Sequence, residues 1–583
     1  MTAFALVRRD LAADTSNTLA KVVGSFIEQG FAHARTLGTV HWDLALFDTP
    51  VNPLKDIYVR DQRNFAVAVG TFFHGARCGV TALRAVLDEF GPDYFLGAES
   101  FGSFCLIVCH DGILHVLLDR IGVFKVYRDD DWTVLSSSFL ALLGTIKQPL
   151  ADVQSVYEYV FQGATYNGRT IVRQIRLLDQ RSAAVLGAEV VHRALPGDLW
   201  SGPAWQGFDR HLASIVDRLR AYFSAMVECF ADNIDTALSG GYDSRLLLAL
   251  LRDRGAKPRV HVYGGKDDLD VRIAQAIASG EDFPLEAVDK SIYGQPTQAE
   301  FPQTIRDNFL WFDGYPADGI FDSGADRKTR TARARGGALA LNGGGGEIFR
   351  NFFYLRDGSY DVRQILWAFF SRFDPRICTA EFSEERYYVE HERAIADLLR
   401  GPGEAAVGSR FRLSREEVEL LYPCFRCTFW MGRNTSINNR FGYALTPFIE
   451  AELVKLALSV PIRFKNHGKF EAALIEAFDP RLASYPSAYG EAFDASPSLK
   501  RIIKDQLTLW RPTAVRRYSY RLQSRWRRSA VPTTLTSNYL ATVIDPAFPR
   551  MSVYFHVPRM VSAEEVNRVA TLEYLFAHYT IGG

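Results

Sequence analysis

The chain has 583 residues, too many for one ordinary hydrophobic core, so at least two domains are expected. Lysine plus arginine balance aspartate plus glutamate at 67 each, and 48% of the residues are apolar. That describes a soluble globular protein with no net field to gather nucleic acid or an acidic membrane, and neither is an expected partner.

Apolar runs such as residues 104–109 are far short of a membrane span, and the N-terminus lacks a charged-then-apolar export pattern, so a cytoplasmic protein is expected. Seven cysteines without a regular framework fit a reducing compartment. Cys424 and Cys427 are spaced Cys-x-x-Cys, but no second Cys or His pair stands at zinc spacing. They read as core residues of an aromatic helical stretch, and no structural metal is expected.

From about residue 36 to 195, short apolar runs alternate with turn residues. Runs 65–73, 103–109, 113–118 and 133–137 predict strands of stacked antiparallel sheets, with Asp111-Gly112 as a hairpin turn. The run 101–127, followed by Val156-Tyr157-Glu158-Tyr159-Val160-Phe161-Gln162-Gly163 and by residues 170–175, resembles the second half of a class II glutamine amidotransferase domain. The likeness spans most of residues 60–195.

It implies an α+β, Ntn-type domain over 1–205, with stacked antiparallel sheets flanked by helices. That family uses an N-terminal cysteine whose own amino group is the base. Here the second residue is Thr2, chemically able to act once Met1 is removed. Gly70-Thr71-Phe72-Phe73-His74-Gly75 and Phe101-Gly102 stand where the family places its polar glutamine anchors. A retained scaffold with an inactive glutaminase half is the expectation.

A composition shift near residue 205 marks the second domain, 206–583, opening on an amphipathic helix at 211–230. Apolar residues 234–238 then lead into Ser239-Gly240-Gly241-Tyr242-Asp243-Ser244 and a helical run at 245–251. A strand that ends in small residues and opens a helix presents backbone N–H groups and the positive end of the helix dipole to a phosphate. Leu238, Ser239, Gly240, Gly241, Asp243 and Ser244, with Val262 on the next strand, are the expected nucleotide contacts, and Asp243 suits the magnesium of a triphosphate. Strand 259–264 and helix 270–277 follow. The alternation predicts an α/β domain on a parallel sheet, with nucleotide at the strand C-termini.

Two later segments follow in order: Leu341-Asn342-Gly343-Gly344-Gly345-Gly346-Glu347, and Leu445-Thr446-Pro447-Phe448-Ile449-Glu450 with His467-Gly468-Lys469-Phe470-Glu471 and residues 485–490. With the first motif they resemble the asparagine synthetase family and its adenine-nucleotide alpha-hydrolase (ATP pyrophosphatase) domain. The resemblance implies ATP and Mg2+ as cofactors, with Asp243 and Glu347 on the metal. It adds Gly344, Gly345 and Gly346 to the pyrophosphate site and makes Lys469 and Glu347 catalytic.

Four consecutive glycines replace the family's usual acid-bearing loop, and Leu445 replaces its usual arginine. With Thr2, these departures favour relatives such as β-lactam synthetases and lasso-peptide macrolactam cyclases. The implied function is adenylation of a small-molecule or peptide carboxylate and its coupling to an amine carried by the substrate, with a precursor peptide or protease as partner. Asparagine synthesis, amidation of a polysaccharide or metabolite, and a non-catalytic scaffold remain alternatives. Oligomeric state is left open.

Tyr242, Tyr315 and Tyr489 are candidates for the substrate pocket. The end of the chain, about 500–583, reads as a helical basic tail. Its arginines 511, 516, 517, 521, 525, 527 and 528 form a solvated face, or a dock for an acidic partner.

Overall fold

The computed structural model describes residues 3–9, 15–49, 56–91, 94, 96–195, 201–401, 411–526 and 531–583, without the side chains of residues 15 and 524–526. Thr2, Arg527 and Arg528 lie outside the described residues.

The N-terminal part stacks two antiparallel sheets. One runs, edge to edge, Ile175–Leu177, Tyr127–Asp129, Val134–Ser136, Ala3–Arg8, Trp42–Asp48 and Ala32–Gly38. The other runs Val190–Ala194, Ser182–Leu186, Ile113–Leu118, Ser100–His110, Phe65–His74 and Ile57–Val59, with Arg77–Cys78 paired to Phe65–His74. Alternation along the strands sends Phe4, Leu6 and Leu44 from the first sheet against Val67, Ile107 and Val116 of the second. The outer faces are apolar too and are roofed by helices. Gly79–Glu89 covers one with Ala82, Leu83 and Val86, and Thr15–Glu28 covers the other with Val22 and Phe26. The result is the expected pair of antiparallel sheets flanked by helices. Asp111 and Gly112 both take positive φ, which the hairpin turn between Ser100–His110 and Ile113–Leu118 requires.

The C-terminal part is built on a five-stranded parallel sheet in the order Leu285–Val288, Arg259–Tyr263, Ile234–Ala237, Leu339–Leu341, Ala444–Leu445. From the central strand Ile234–Ala237 the chain steps outward on one side through helices Tyr242–Asp253 and Leu269–Gly280. It then crosses to the other side for the last two strands. Strand order therefore reverses beside Ile234–Ala237, leaving a crevice at the C-terminal ends of Ile234–Ala237 and Leu339–Leu341.

The two parts share a buried polar junction. Asp313 accepts from Ser138 Oγ at 2.5 Å and from the Phe139 and Leu140 amides at 2.8 and 3.1 Å, and Arg433 Nη1 lies 3.4 Å from it. Arg440 Nη2 donates to Gln29 Oε1. The end of the chain is helical, and its last helix packs on the rest. Helix Ala563–Tyr579 returns to the body, where Arg568 donates to the carbonyls of Ala317 at 2.7 Å and Val160 at 3.1 Å.

Candidate functional site

Both expected nucleotide loops open at the switch-point crevice: residues 239–244 leave Ile234–Ala237, and residues 342–347 leave Leu339–Leu341. Helix Tyr242–Asp253 starts with Asp243 in its first turn. The amides nearest the strand do not face outward as expected. Ser239 N donates to Ser244 Oγ at 2.9 Å, Gly240 N to Asp270 Oδ1 at 2.8 Å and Gly241 N to Ser239 Oγ at 3.2 Å. In the glycine-rich loop, Gly344 N is taken by Asn342 Oδ1 and Gly345 N by Glu347 Oε2. First-turn amides of helix Tyr242–Asp253, those of Tyr242, Asp243 and Ser244, have no acceptor inside the helix and remain for an anion. Leu238 and Val262 are buried in the sheet, Leu238 N donating to His261 O at 2.8 Å.

The second loop crosses directly over the first. A Cβ at Gly343 would lie 3.1–3.2 Å from Asp243, and one at Gly346 only 2.2 Å from Asp243 Oδ1 and 2.8 Å from Glu471 Oε1. Three carboxylates thus converge on Arg350. Its Nη2 donates to both oxygens of Asp243 at 2.8 and 2.9 Å, its Nε lies 2.8 Å from Glu471 Oε2, and Nη2 is 3.6 Å from Glu347 Oε1. Tyr422 donates to Glu347 Oε2.

Burial raises the pKa of Asp243 against the pull of Arg350, and raises that of Glu471 far above the carboxylate range. The Asp243 charge adds to the rise at Glu471, as a like charge close by does. Burial disfavours the Arg350 charge, but Asp243, Glu471 and Glu347 outweigh it and hold its pKa well above the ordinary value. Neither Glu471 oxygen accepts a hydrogen bond of good geometry from a donor, because Arg350 Nε approaches off-angle.

Sequence reasoning missed Arg350 and Glu471. Glu471 left a signal: on helix Lys469–Phe478 it shares the buried face of Leu474, Ile475 and Phe478, where an acid needs a partner. Arg245 was missed as well. Fully buried, it donates to the carbonyls of Tyr485 at 2.7 Å and Pro486 at 2.8 Å. It thereby pins residues 485–490 beside Gly240, whose carbonyl accepts from Ala488 N at 2.9 Å.

On the far side of Arg350 lies a cavity of about 320 Å³. Tyr242, Phe352, Tyr354, Phe369 and Tyr489 give it aromatic walls, and Arg350, Arg372 and Arg501 give it positive charge. Tyr242 and Tyr489 are thus brought to the site. Tyr315 is not: it packs at the junction between the two parts against Phe139, Tyr159 and Arg433. Lys469 is exposed at the start of its helix, next to cavity residues 465–468 but not in the wall. His467, at φ 61° in the left-handed region, does line it, with Nδ1 2.8 Å from Asp505 Oδ2. Cys424 and Cys427 are buried in a wide helical stretch, Tyr422–Met431, as core residues.

No protein-family model and no curated protein sequence matches the chain. Solved structures that are similar include two enzymes. One is a glutamine phosphoribosylpyrophosphate amidotransferase from B. subtilis complexed with ADP and GMP. It is 9% identical with a TM-score of 0.23, over 52% of this chain and 70% of that one. The other is described as the allosteric regulatory enzyme of purine biosynthesis, 9% identical with a TM-score of 0.23, over 49% of this chain and 64% of that one.

The positions expected to lack glutamine anchors are filled with rings. Phe73 stacks on Phe101 at 4.8 Å, Phe101 meets Tyr222 at 4.8 Å, and Phe230 closes on Phe73 at 6.1 Å. Thr71 Oγ1 is spent on the other domain, donating to Asn439 Oδ1 at 2.8 Å and accepting from Ala444 N at 2.9 Å. His74 is held by Ser100 and Glu89. Among the described residues, no helix is long and apolar enough to cross a membrane.

Proposed function

We propose that the chain is an ATP-dependent ligase that adenylates a carboxylate and passes the acyl group to an amine, its N-terminal part being a scaffold. The observation that carries this reading is the meeting of Asp243, Glu347 and Glu471, from three separate elements, at the switch point of a doubly wound sheet beside a half-open cavity.

In the proposed reaction a carboxylate oxygen attacks the α-phosphorus of ATP, and the bond to pyrophosphate breaks. The amine nitrogen then attacks the acyl carbon. A C–N bond forms, the bond to AMP breaks, and the amine gives up its proton. First-turn amides of helix Tyr242–Asp253 would receive phosphate oxygens, and Lys469 stands on the next element to meet charge on the departing pyrophosphate. Three carboxylates face one guanidinium and both Glu471 oxygens are buried and poorly satisfied, but with Arg350 between them the three acids do not bring an oxygen each within 4.8 Å of one another. With Arg350 withdrawn, Asp243 and Glu347 would hold Mg2+, which neutralises the triphosphate.

Aromatic walls and arginines in the cavity suit a carboxylate with an apolar body, small molecule or peptide. The ring stack at Phe73 and Phe101 supports an amine brought by the substrate rather than released from glutamine. ATP–pyrophosphate exchange, screened over aliphatic, aromatic and peptide carboxylates, tests the reading. Exchange with at least one carboxylate, abolished by Asp243→Ala, is expected. Exchange with none, by a protein that binds no ATP, would select the scaffold instead. One observation favours that second reading: Arg350 Nη2 occupies both oxygens of Asp243.

A further inference from the structure

Two consecutive helices near the end of the chain are inside-out. On Leu499–Trp510 the residues Leu499, Ile503, Leu507 and Trp510 fall within one stripe of the helix and are 78, 59, 61 and 64% exposed. Two of its charged residues face inward instead. Arg501 donates to Tyr242 Oη at 2.9 Å and pairs with Glu491 at 2.7 Å, and Asp505 holds His467. Helix Thr513–Trp526 repeats the pattern, with Val515, Tyr518 and Leu522 49–64% exposed. Arg516, 2% exposed, enters the body to donate to Phe353 O and Tyr354 O, while Arg517 and Arg521 pair with Glu384. The arginines expected to form a solvated face are therefore partly structural, and the apolar side chains are what solvent meets. Seven large apolar side chains turned outward on adjacent helices mark an interaction surface.

Charge decides what it meets. Between residues 499 and 528 the sequence holds ten lysines and arginines and one acid, Asp505, which is used inside. Lys500 and Lys504 flank the apolar stripe, exposed and, among the described residues, without an acidic partner. A second copy docked through the same face would set like charge against like, with no acid in the segment to answer it. A ridge of leucine, isoleucine, tryptophan and tyrosine bordered by lysines is the composition that lies in a bilayer interface.

We infer that residues 499–522 form a docking surface for an anionic lipid membrane, with the apolar stripe at the acyl boundary and Lys500 and Lys504 among the headgroups. The zero net charge of the whole chain, which predicts no membrane partner, averages this local patch away. The inner face of the same helix, through Arg501, Asp505 and Leu509, walls the cavity, so docking holds the cavity close to the lipid.

The test is co-sedimentation of the full-length protein with vesicles of phosphatidylcholine alone or phosphatidylcholine mixed with phosphatidylglycerol. Binding to the acidic vesicles only is expected, with release at roughly 0.5 M salt. Ile503→Glu with Leu507→Glu, both at exposed positions, should weaken it by at least about tenfold with unchanged circular dichroism. Lys500→Glu with Lys504→Glu should remove the preference for acidic vesicles. The inference is overturned if the protein stays in the supernatant with both vesicles. It is equally overturned if the apolar double variant binds as well as the parent, or if sedimentation equilibrium shows a dimer that this variant dissociates while vesicles are ignored.

Discussion

A methyl group at Gly346 would clash with Asp243 and press on Glu471, so Gly346→Ala tests the carboxylate cluster with a single atom. Because the neighbours are carboxylates held by Arg350, they must shift. The cost should be about 1–3 kcal/mol of stability, with at least a tenfold loss of nucleotide affinity, about 1.4 kcal/mol, read by urea unfolding and calorimetric titration. Arg350→Ala asks a different question. Removing the guanidinium leaves three acids facing one another, a loss of about 3–5 kcal/mol for a buried pair. Added Mg2+ should raise the thermal midpoint of this variant more than that of the parent. Equal responses would mean that the acids do not hold the ion. Sequence reading reached Asp243 through its place at a glycine turn opening a helix and Glu347 through the family resemblance, but not Arg350, because a long side chain three residues from Glu347 gives no pattern of its own.

Individual elements were the most legible scale where periodicity and turn chemistry agreed. The strands around Asp111-Gly112, the helix expected at 211–230 and found at Phe208–Phe230, and the strand–loop–helix at 234–253 all follow from apolar spacing. Helices Leu499–Trp510 and Thr513–Trp526 were misjudged because their apolar stripes lie outside and their arginines inside, and a one-dimensional pattern does not say which face a helix presents. Glu450, which caps helix Ala451–Leu458 by accepting from Leu453 N at 3.0 Å, makes the pH behaviour of an element testable. Burial pushes its carboxyl up to about 7, with Arg218 opposing. In the unfolded chain it ionises near 4.5, so between those values the folded state holds the extra proton. Its contribution to stability is therefore full below about pH 4.5 and is lost as the pH rises through 7. Glu450→Gln keeps the capping oxygen and should flatten that part of the denaturation midpoint plotted against pH. An unchanged slope would place the dependence elsewhere.

At the scale of the whole molecule, the two parts are joined by groups whose pairing no spacing could announce: Asp313 reaches Ser138 and the start of helix Phe139–Leu143 across more than 170 residues of sequence. Asp313→Ala should cost about 3–5 kcal/mol by stranding Arg433 and open helix-end amides. It should lower the denaturation midpoint of both parts together, and separate transitions in the parent protein would contradict that. The order of the sheet was legible only as alternation. Its reversal beside Ile234–Ala237, which brings the two glycine loops together, depends on a long excursion between residues 288 and 339 whose path leaves no local mark. That reversal underlies the proposed nucleotide site at the switch point. Calorimetric titration of the full-length protein with ATP and Mg2+ tests it most directly. One ATP per chain in the parent, and at least a tenfold loss in Asp243→Ala, about 1.4 kcal/mol, is the predicted result. No heat of binding in the parent, or undiminished binding by Asp243→Ala, would contradict it.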